Sequence, residues 1–407
     1  MAKILFVTTR IPYPPWEGHQ IRTYNLLKRV CDVHEVKLVS FVRSDEDPAH
    51  ADHLRTICKS VDLIKIPADQ TKFKLFKTIL SGVLTKTPFV VKKYSAPEME
   101  QRLRQVIEQD SPDLVHFDML PLAQYLPLCG NIPTILNDHN VESLLVERRA
   151  EATSSIPQKI FFSNQAPKLE QFEIFASKTA TQVLACSQDD ADILSKMGQS
   201  DGNNKAINII ANGVDIEQFQ PNQIDTSASV QVDPNKIIFV GGMGWFPNKD
   251  GMNFFIKEAM PLISEKNPDA RLIVVGKSNG LDIPDQLRDQ ISATGFVDDF
   301  RPLVHEAGVY ILPLRVGSGT RLKLLEAMAM GKAIVSTRIG AEGVVLEDGK
   351  NILMADTPQE IADAVLKLMG DAELRDRLGK AAHEQAEKLY DWRILGDKLL
   401  AVYDTML

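Results

Sequence analysis

The feature that most constrains this chain is a recurrence. A short apolar run gives way to a loop of glycine and polar residues, and then to a segment whose apolar side chains fall at helical spacing. The pattern starts at Lys3-Ile4-Leu5-Phe6-Val7 and resumes at Glu35-Val36-Lys37-Leu38-Val39-Ser40-Phe41-Val42 and Val61-Asp62-Leu63-Ile64-Lys65-Ile66. After a polar stretch it restarts with Lys236-Ile237-Ile238-Phe239-Val240 and continues through Ala270-Arg271-Leu272-Ile273-Val274-Val275, Thr294-Gly295-Phe296-Val297 and Val309-Tyr310-Ile311-Leu312. Runs this short and this apolar suit strands buried on both faces, and their alternation with helices implies parallel crossovers. The expected fold class is α/β, with two Rossmann-like doubly wound domains facing each other across a cleft.

A chain of 407 residues exceeds one ordinary core. The polar, strand-poor segment between the two series, rich in Asp, Gln, Pro and Ser, reads as a linker. The expected division is an N-terminal domain 1–215, a linker 216–235, a C-terminal domain 236–388, and a closing helix 389–407 that crosses back to the first domain.

Composition excludes several function classes. A net charge of −8 lacks the basic footprint of general nucleic-acid binding. No apolar stretch is long enough for a membrane span, and the opening residues run into Thr8-Thr9-Arg10 without a signal-peptide cleavage site, so a cytoplasmic location is expected. Cys31, Cys58, Cys129 and Cys186 are scattered without metal-ligand spacing, which predicts reduced, inert thiols and no zinc.

Open parallel sheets bind ligands at the carboxyl ends of their strands. The loop Gly317-Ser318-Gly319-Thr320 follows one such run and opens a short helix, whose amino end offers unpaired N–H groups to an anion. Arg321 and Lys323 add formal charge, and Glu326 is an acceptor suited to ribose hydroxyls. The stretch reads as a nucleotide-diphosphate cradle; the competing reading has the two cations solvating a helix and Glu326 pairing with one of them. The Gly18 loop offers backbone donors in the same way but lacks GxGxxG, so a dinucleotide cofactor is not supported. His116 and His139 each fall near the end of an apolar run with an Asp close by, at Asp118 and Asp138, which makes both candidates for chemistry.

Residues 72–93 carry Lys72, Lys74, Lys77, Lys86, Lys92 and Lys93 among Phe73, Phe76, Leu80 and Phe89. Two placements are open: an amphipathic helix lying on an anionic membrane surface, at the inner face of the membrane, or a surface helix whose Phe73, Phe76 and Leu80 face the core.

Taken in order, several motifs resemble those of a known family: Arg10-Ile11-Pro12-Tyr13-Pro14-Pro15 with Gly18, Asp138-His139-Asn140-Val141-Glu142-Ser143, Asn212-Gly213-Val214-Asp215, Phe239-Val240-Gly241-Gly242-Met243 with Pro247-Asn248, Gly319-Thr320-Arg321-Leu322-Lys323-Leu324-Leu325-Glu326-Ala327-Met328, and Tyr390-Asp391-Trp392. The chain is similar over nearly its whole length to retaining, nucleotide-sugar-dependent glycosyltransferases of family 4 with the GT-B fold, and within them to bacterial transferases of exopolysaccharide and surface-protein sorting systems. The resemblance implies an NDP-sugar donor, a UDP- or GDP-sugar, held mainly by the C-terminal domain, and a saccharide or lipid-linked acceptor held mainly by the N-terminal one. No metal or other cofactor is implied.

Residue by residue, the resemblance gives Glu326 the place of the second glutamate of the family's Glu-x7-Glu motif, while Ser318 stands where the first belongs. It implies donor contacts at Gly18, Gly241, Gly242, Lys249, Gly317, Ser318, Gly319, Thr320, Glu326 and Glu342, catalytic roles for His139, Arg321 and Lys323, and acceptor contacts at Arg10 and Asn140. The family's Arg after the first C-domain strand is missing at Gly241-Gly242-Met243, and Lys249 only roughly matches its Lys. Arg321 and Lys323 are the candidates to neutralise the diphosphate. Asp189-Asp190 and Asp298-Asp299 read as helix caps rather than metal ligands. Two alternatives remain at this level: a sugar-nucleotide epimerase of the same fold, and a non-enzymatic hinged sugar-binding protein.

Overall fold

The computed structural model describes residues 1–43, 46–153, 155–199, 205–221, 231–317 and 319–407. They form two compact units, one of residues 1–211 with 395–407, the other of residues 212–394. The segment 222–230, inside the expected linker, and Ser318, an expected donor contact, lie outside the described residues.

In the first unit the apolar runs become β1 (Lys3–Thr8), β2 (Glu35–Val42), β3 (Ser60–Lys65), β4 (Leu114–Asp118), β5 (Thr134–Asn137), β6 (Gln182–Ala185) and β7 (Ile207–Ile209). All pair in parallel, in the order β3-β2-β1-β4-β5-β6-β7. Burial on both faces explains the unbroken apolar runs: Leu5, Phe6 and Val7 are all fully enclosed. The strand order reverses between β1 and β4, so the loops leaving these two strands diverge and open a crevice at their carboxyl ends.

The second unit repeats the plan with β8 (Asp233–Val240), β9 (Arg271–Val275), β10 (Ile291–Gly295), β11 (Ala307–Leu312), β12 (Ile334–Ser336) and β13 (Leu353–Met354). The order β10-β9-β8-β11-β12-β13, again all parallel, reverses between β8 and β11. β8 begins at Asp233 rather than at Lys236, because Asp233 pairs with Ala307 of β11 and the ladder overrides the low strand preference of Asp and Pro. β10 likewise lies earlier than the Thr294–Val297 run suggests. Ile291 is its buried anchor against Leu272, while Phe296 is exposed.

The last helix, Trp392–Asp404, carries the chain back into the first unit. There Tyr403 is fully buried, and a Cβ at Gly396 would stand 2.4 Å from Cγ of Arg29 on the Gly18–Val33 helix. The chain leaves the first unit after residue 211, where two remote motifs meet: Val214 forms a parallel bridge with Asp391 and donates its N–H to the Tyr390 carbonyl at 2.8 Å. The scatter of cysteines in sequence does not survive folding, since Cys31 and Cys58 come within 3.7 Å as free thiols. Among the described residues no helix is long and apolar enough to cross a membrane.

Candidate active site

The second unit gathers its charge at the β8/β11 reversal. β8 ends at Val240, and Gly241 turns with φ +154°. The reason for glycine is spatial as well as conformational: a Cβ there would lie 2.5 Å from Nζ of Lys323 and 2.8 Å from Nδ2 of Asn248. Lys323 comes from the first turn of the Leu322–Ala329 helix, which follows the loop leaving β11. Its Nζ donates to Oδ1 of Asn248 at 2.8 Å and lies 4.7 Å from the centre of the Phe239 ring, while Asn248 Nδ2 donates to the Gly242 carbonyl at 3.0 Å. One turn further along the same helix Glu326 is half-buried, and among the described residues its carboxylate accepts no hydrogen bond.

Burial sets the electrostatics. It lowers Lys323 to about 7, with Arg321 acting in the same direction and Glu326 against it. It raises Glu326 to about 7 despite the opposing charge of Lys323. An ammonium bonded to the neutral amide of Asn248 and a carboxylate without a hydrogen bond among the described residues, both titrating near neutrality, form a site suited to a ligand carrying anionic and hydroxyl groups.

Arg321 caps that helix and is nearly buried. Its Nη1 donates to the Gly319 carbonyl at 2.7 Å, its Nη2 lies 4.0 Å from a carboxylate oxygen of Glu342, and a Cβ at Gly317 would meet Nη2 at 2.5 Å. Thr320 faces Gly343, donating to its carbonyl at 3.4 Å. The structure therefore brings together Gly241, Gly242, Gly317, Gly319, Thr320, Arg321, Lys323, Glu326 and Glu342. It does not add Lys249, whose exposed side chain runs to the Gly280 turn, where a Cβ at Gly280 would lie 2.6 Å from its Nζ. Asn248, next in sequence, takes the inner position instead. Its signal was the Pro247-Asn248 pair at a helix start.

In the first unit the β1/β4 crevice is lined by a buried polar chain. His139 Nε2 is 3.0 Å from Oδ1 of Asp118, which also accepts from Asn137 at 2.7 Å, while Thr23 donates to Oδ2 at 2.5 Å. Arg22, fully enclosed, donates to Oδ1 of Asn137 at 2.7 Å and to the Ala211 carbonyl at 2.8 Å. Burial opposes the charge on Asp118, but His139, His116 and Thr23 more than offset it and hold the carboxyl well below the usual range. Asp118 thus orients and stabilises His139. His19, missed in the sequence, stands at the start of the Gly18–Val33 helix; burial and Arg10 lower it to about 3. Its position one residue past Gly18 was the only cue.

His116 belongs elsewhere. Its fully buried side chain stacks on Phe6 at 4.1 Å between ring centres and shares a 2.7 Å hydrogen bond from Nδ1 with the Tyr403 hydroxyl. It is a core residue, so only one of the two histidines reaches the crevice. Arg10 is bound by Glu46 and, at 2.9 Å, by Glu17, and Asn140 hydrogen-bonds Glu142, whose carboxyl burial raises to about 7. Asp138, fully buried, is held well above the usual carboxylate range by burial and by Glu173 and Glu142. Asp190 accepts from Ser187 at 2.8 Å and Asp299 from the Arg301 N–H at 3.0 Å, so both serve helix starts. Among the described residues no group of His, Cys, Asp and Glu is arranged to hold a metal ion.

Against known proteins, residues 16–218 match the model described as "Glycosyltransferase Family 4" and residues 234–371 the model "Glycosyl transferases group 1". An "Uncharacterized 44.6 kDa protein in cps region" of Klebsiella pneumoniae is 24% identical over 88% of both chains. The phosphatidyl-myo-inositol mannosyltransferase of Mycobacterium tuberculosis is 29% identical over 48% of this chain and 53% of its own, so the match spans about half of that relative. In fold the chain resembles Anabaena HepE crystallised with UDP, at a TM-score of 0.68 and 16% identity, covering 99% of this chain and 100% of that one. With both halves matched in order, the chain belongs to the family 4, group 1 glycosyltransferases of the GT-B fold.

Proposed function

We propose that this enzyme transfers a hexose-type sugar from a UDP- or GDP-sugar to a saccharide or lipid-linked acceptor, with retention of anomeric configuration, in bacterial polysaccharide or glycoconjugate synthesis. The observation that carries the donor reading is the contact of Lys323 with Asn248 over the bare face of Gly241, with Arg321 and Glu326 on the same helix start. Lys323 and Arg321 are assigned the diphosphate, as catalytic groups that stabilise the departing charge; a positioned donor is worth about 3 kcal/mol in such a role. Glu326 is assigned the ribose hydroxyls, and Glu342 and the glycine loop the sugar-diphosphate junction. Gly18 retains its place as a backbone donor to the donor substrate.

With retention, the leaving diphosphate can itself accept the proton of the incoming hydroxyl, so the protein's work is charge stabilisation and orientation. His139, oriented by Asp118, is assigned the sugar contact, and Arg10 and Asn140 the acceptor. Crystallisation of HepE with UDP and with UDP-glucose supports a uridine nucleotide among the candidates. The relatives' mannosyltransferase name keeps the guanosine series open. Lys72, Lys74, Lys77 and Lys86, exposed beside the exposed Phe73 and Phe76, support peripheral contact with an anionic membrane, which suits a lipid-linked acceptor.

Thermal shift with UDP, GDP, UDP-glucose and GDP-mannose tests the reading. One nucleotide series should stabilise the protein, by about 2.7 kcal/mol at a hundred times its Kd, and no response to any of the four would defeat it. Proton NMR of the purified product then reads the anomeric configuration, and inversion would remove the retaining mechanism.

A further inference from the structure

The loops leaving β1, β2 and β3 in the first unit enclose a cavity that lies apart from the β1/β4 crevice. It measures about 410 Å³ and opens at the carboxyl ends of β2 and β3. Val42 and Ile66, both buried, give it an apolar lining, and Glu46, Lys65, Asp69 and Gln70 give it a polar one. Its size falls in the range of small-molecule sites, roughly 300–1,000 Å³.

Two loops are pinned together beside this cavity. Arg10, following β1, is ion-paired with Glu46, whose other carboxylate oxygen accepts the Arg43 N–H at 2.9 Å. Tyr13 stacks on His53 at 4.0 Å between ring centres, and the Tyr24 hydroxyl shares a 2.8 Å hydrogen bond with Nε2 of the same imidazole. The Pro48–His50 turn belongs to the loop so anchored. Pro48 lines the cavity, while His50 meets Trp16 at 5.4 Å between ring centres and nearly at right angles. Trp16 is otherwise open, 74% exposed. A tryptophan held in place yet left bare to water, at the mouth of a cavity, offers its ring to the apolar face of a ligand.

The lining selects the chemistry of that ligand. Glu46 is paired with Arg10 and Asp69 with Lys93 at 3.2 Å, yet a carboxylate has more acceptor positions than one cation fills. Lys65 is exposed and has no ion pair among the described residues, and Gln70 accepts from Lys74 at 2.6 Å through Oε1, which leaves its NH2 group to donate. Two carboxylates disfavour a phosphate, and four polar side chains disfavour an acyl chain. A pyranose suits both parts of the site, because its hydroxyls donate and accept while its C–H face can lie flat on an indole.

We propose that this cavity, with Trp16 at its mouth, is a subsite for the second sugar ring of the acceptor, so that the enzyme extends an existing saccharide of two or more rings. The subsite rests on the saccharide-acceptor reading above and adds the length of that acceptor. The β1/β4 crevice beside His139 and the gap between β2 and β3 are two strand spacings apart, about 10 Å. One ring with its hydroxyl in the crevice cannot also fill the cavity, whereas the next ring along the chain can.

The test is binding of the full chain, with UDP and GDP present, to an array of mono-, di- and trisaccharides built from glucose, galactose, mannose, rhamnose and N-acetylhexosamines. The wild type should bind at least one disaccharide about tenfold more tightly than either of its component monosaccharides, the worth of one aromatic stack. Trp16→Ala should lose that preference and leave monosaccharide binding unchanged, Trp16→Phe should keep most of it, and Lys65→Ala should weaken disaccharide binding about fivefold. Lys380→Ala in the second unit should match the wild type. Trp16 and Lys65 are exposed, so their variants read binding and not folding. Monosaccharides bound as tightly as every longer chain defeat the subsite and leave the saccharide-acceptor reading intact. A disaccharide preference that survives both Trp16→Ala and Lys65→Ala puts the second ring elsewhere and also overturns the subsite. A wild type that responds to a nucleotide in thermal shift but binds no saccharide loses the subsite and the acceptor reading together, with the donor reading left standing.

Discussion

Lys323 donates from Nζ to Oδ1 of Asn248 at 2.8 Å, and this contact fixes where the second unit keeps its cationic charge. The two residues are far apart in sequence, one following β8 and the other following β11. Their meeting at the strand-order reversal makes the Gly241 turn, and not the exposed Lys249, the floor of the site.

The pH dependence of nucleotide binding should follow from that contact. Lys323 is lowered to about 7, so in the free enzyme it is charged below that pH and loses its proton above it. Affinity for a nucleoside diphosphate should therefore fall as pH rises through 7. Glu326 ionises over the same range and adds repulsion, so the pair titrates together. In Lys323→Met the affinity should be lower by about tenfold to a hundredfold, the worth of a hydrogen bond to a charged group, and flatter with pH. Isothermal titration at several pH values reads both.

Glu326 and Arg321 should separate in steady-state kinetics. Glu326→Ala removes contacts made equally before and during transfer, so the donor KM should rise about tenfold to a hundredfold while kcat changes little. Arg321→Ala should mainly lower kcat, by about a hundredfold to a thousandfold. Unchanged turnover by both variants would discard the assignment.

A methyl group at Gly241 should close the site. Gly241→Ala brings a Cβ to 2.5 Å from Lys323 Nζ on a backbone of positive φ, and nucleotide binding should drop at least about tenfold. Gly244→Ala is the control, since nothing lies within 4 Å of a Cβ there and the residue is not part of the site. Equal binding by the two variants would contradict the geometry.

The His116–Tyr403 bond should be structural only. Tyr403→Phe strips the partner from a buried imidazole nitrogen and should cost about 1–3 kcal/mol in denaturant unfolding, with the donor KM unchanged. Replacing both partners, as in Tyr403→Phe/His116→Phe, should recover much of that loss. Burial lowers His116 to about 3, against 6.5 when unfolded. Between these values the unfolded chain binds the extra proton, so this group's contribution to stability is lost as pH falls, by at most about 1.4 kcal/mol per pH unit. The double variant should lose that slope.

The sequence by itself determined the α/β class, the two series of strands and the loops that could hold a site, because these depend on the period of apolar residues and on turn chemistry within a few neighbours. The Gly317–Glu326 loop and helix start were legible for the same reason. Tertiary structure alone decided which remote residues meet. It brought Asn248 to Lys323 and sent Lys249 to Gly280, it joined Arg22, Asn137 and Asp118 behind His139, and it turned His116 into the core beneath Tyr403. Strand order sets these meetings, and order is a property of long-range packing that no local pattern carries. The Lys72–Leu84 helix shows the same limit. Its period announces an apolar face, but whether another layer covers that face depends on residues far along the chain, and here Phe73, Phe76, Leu80 and Leu84 are left exposed.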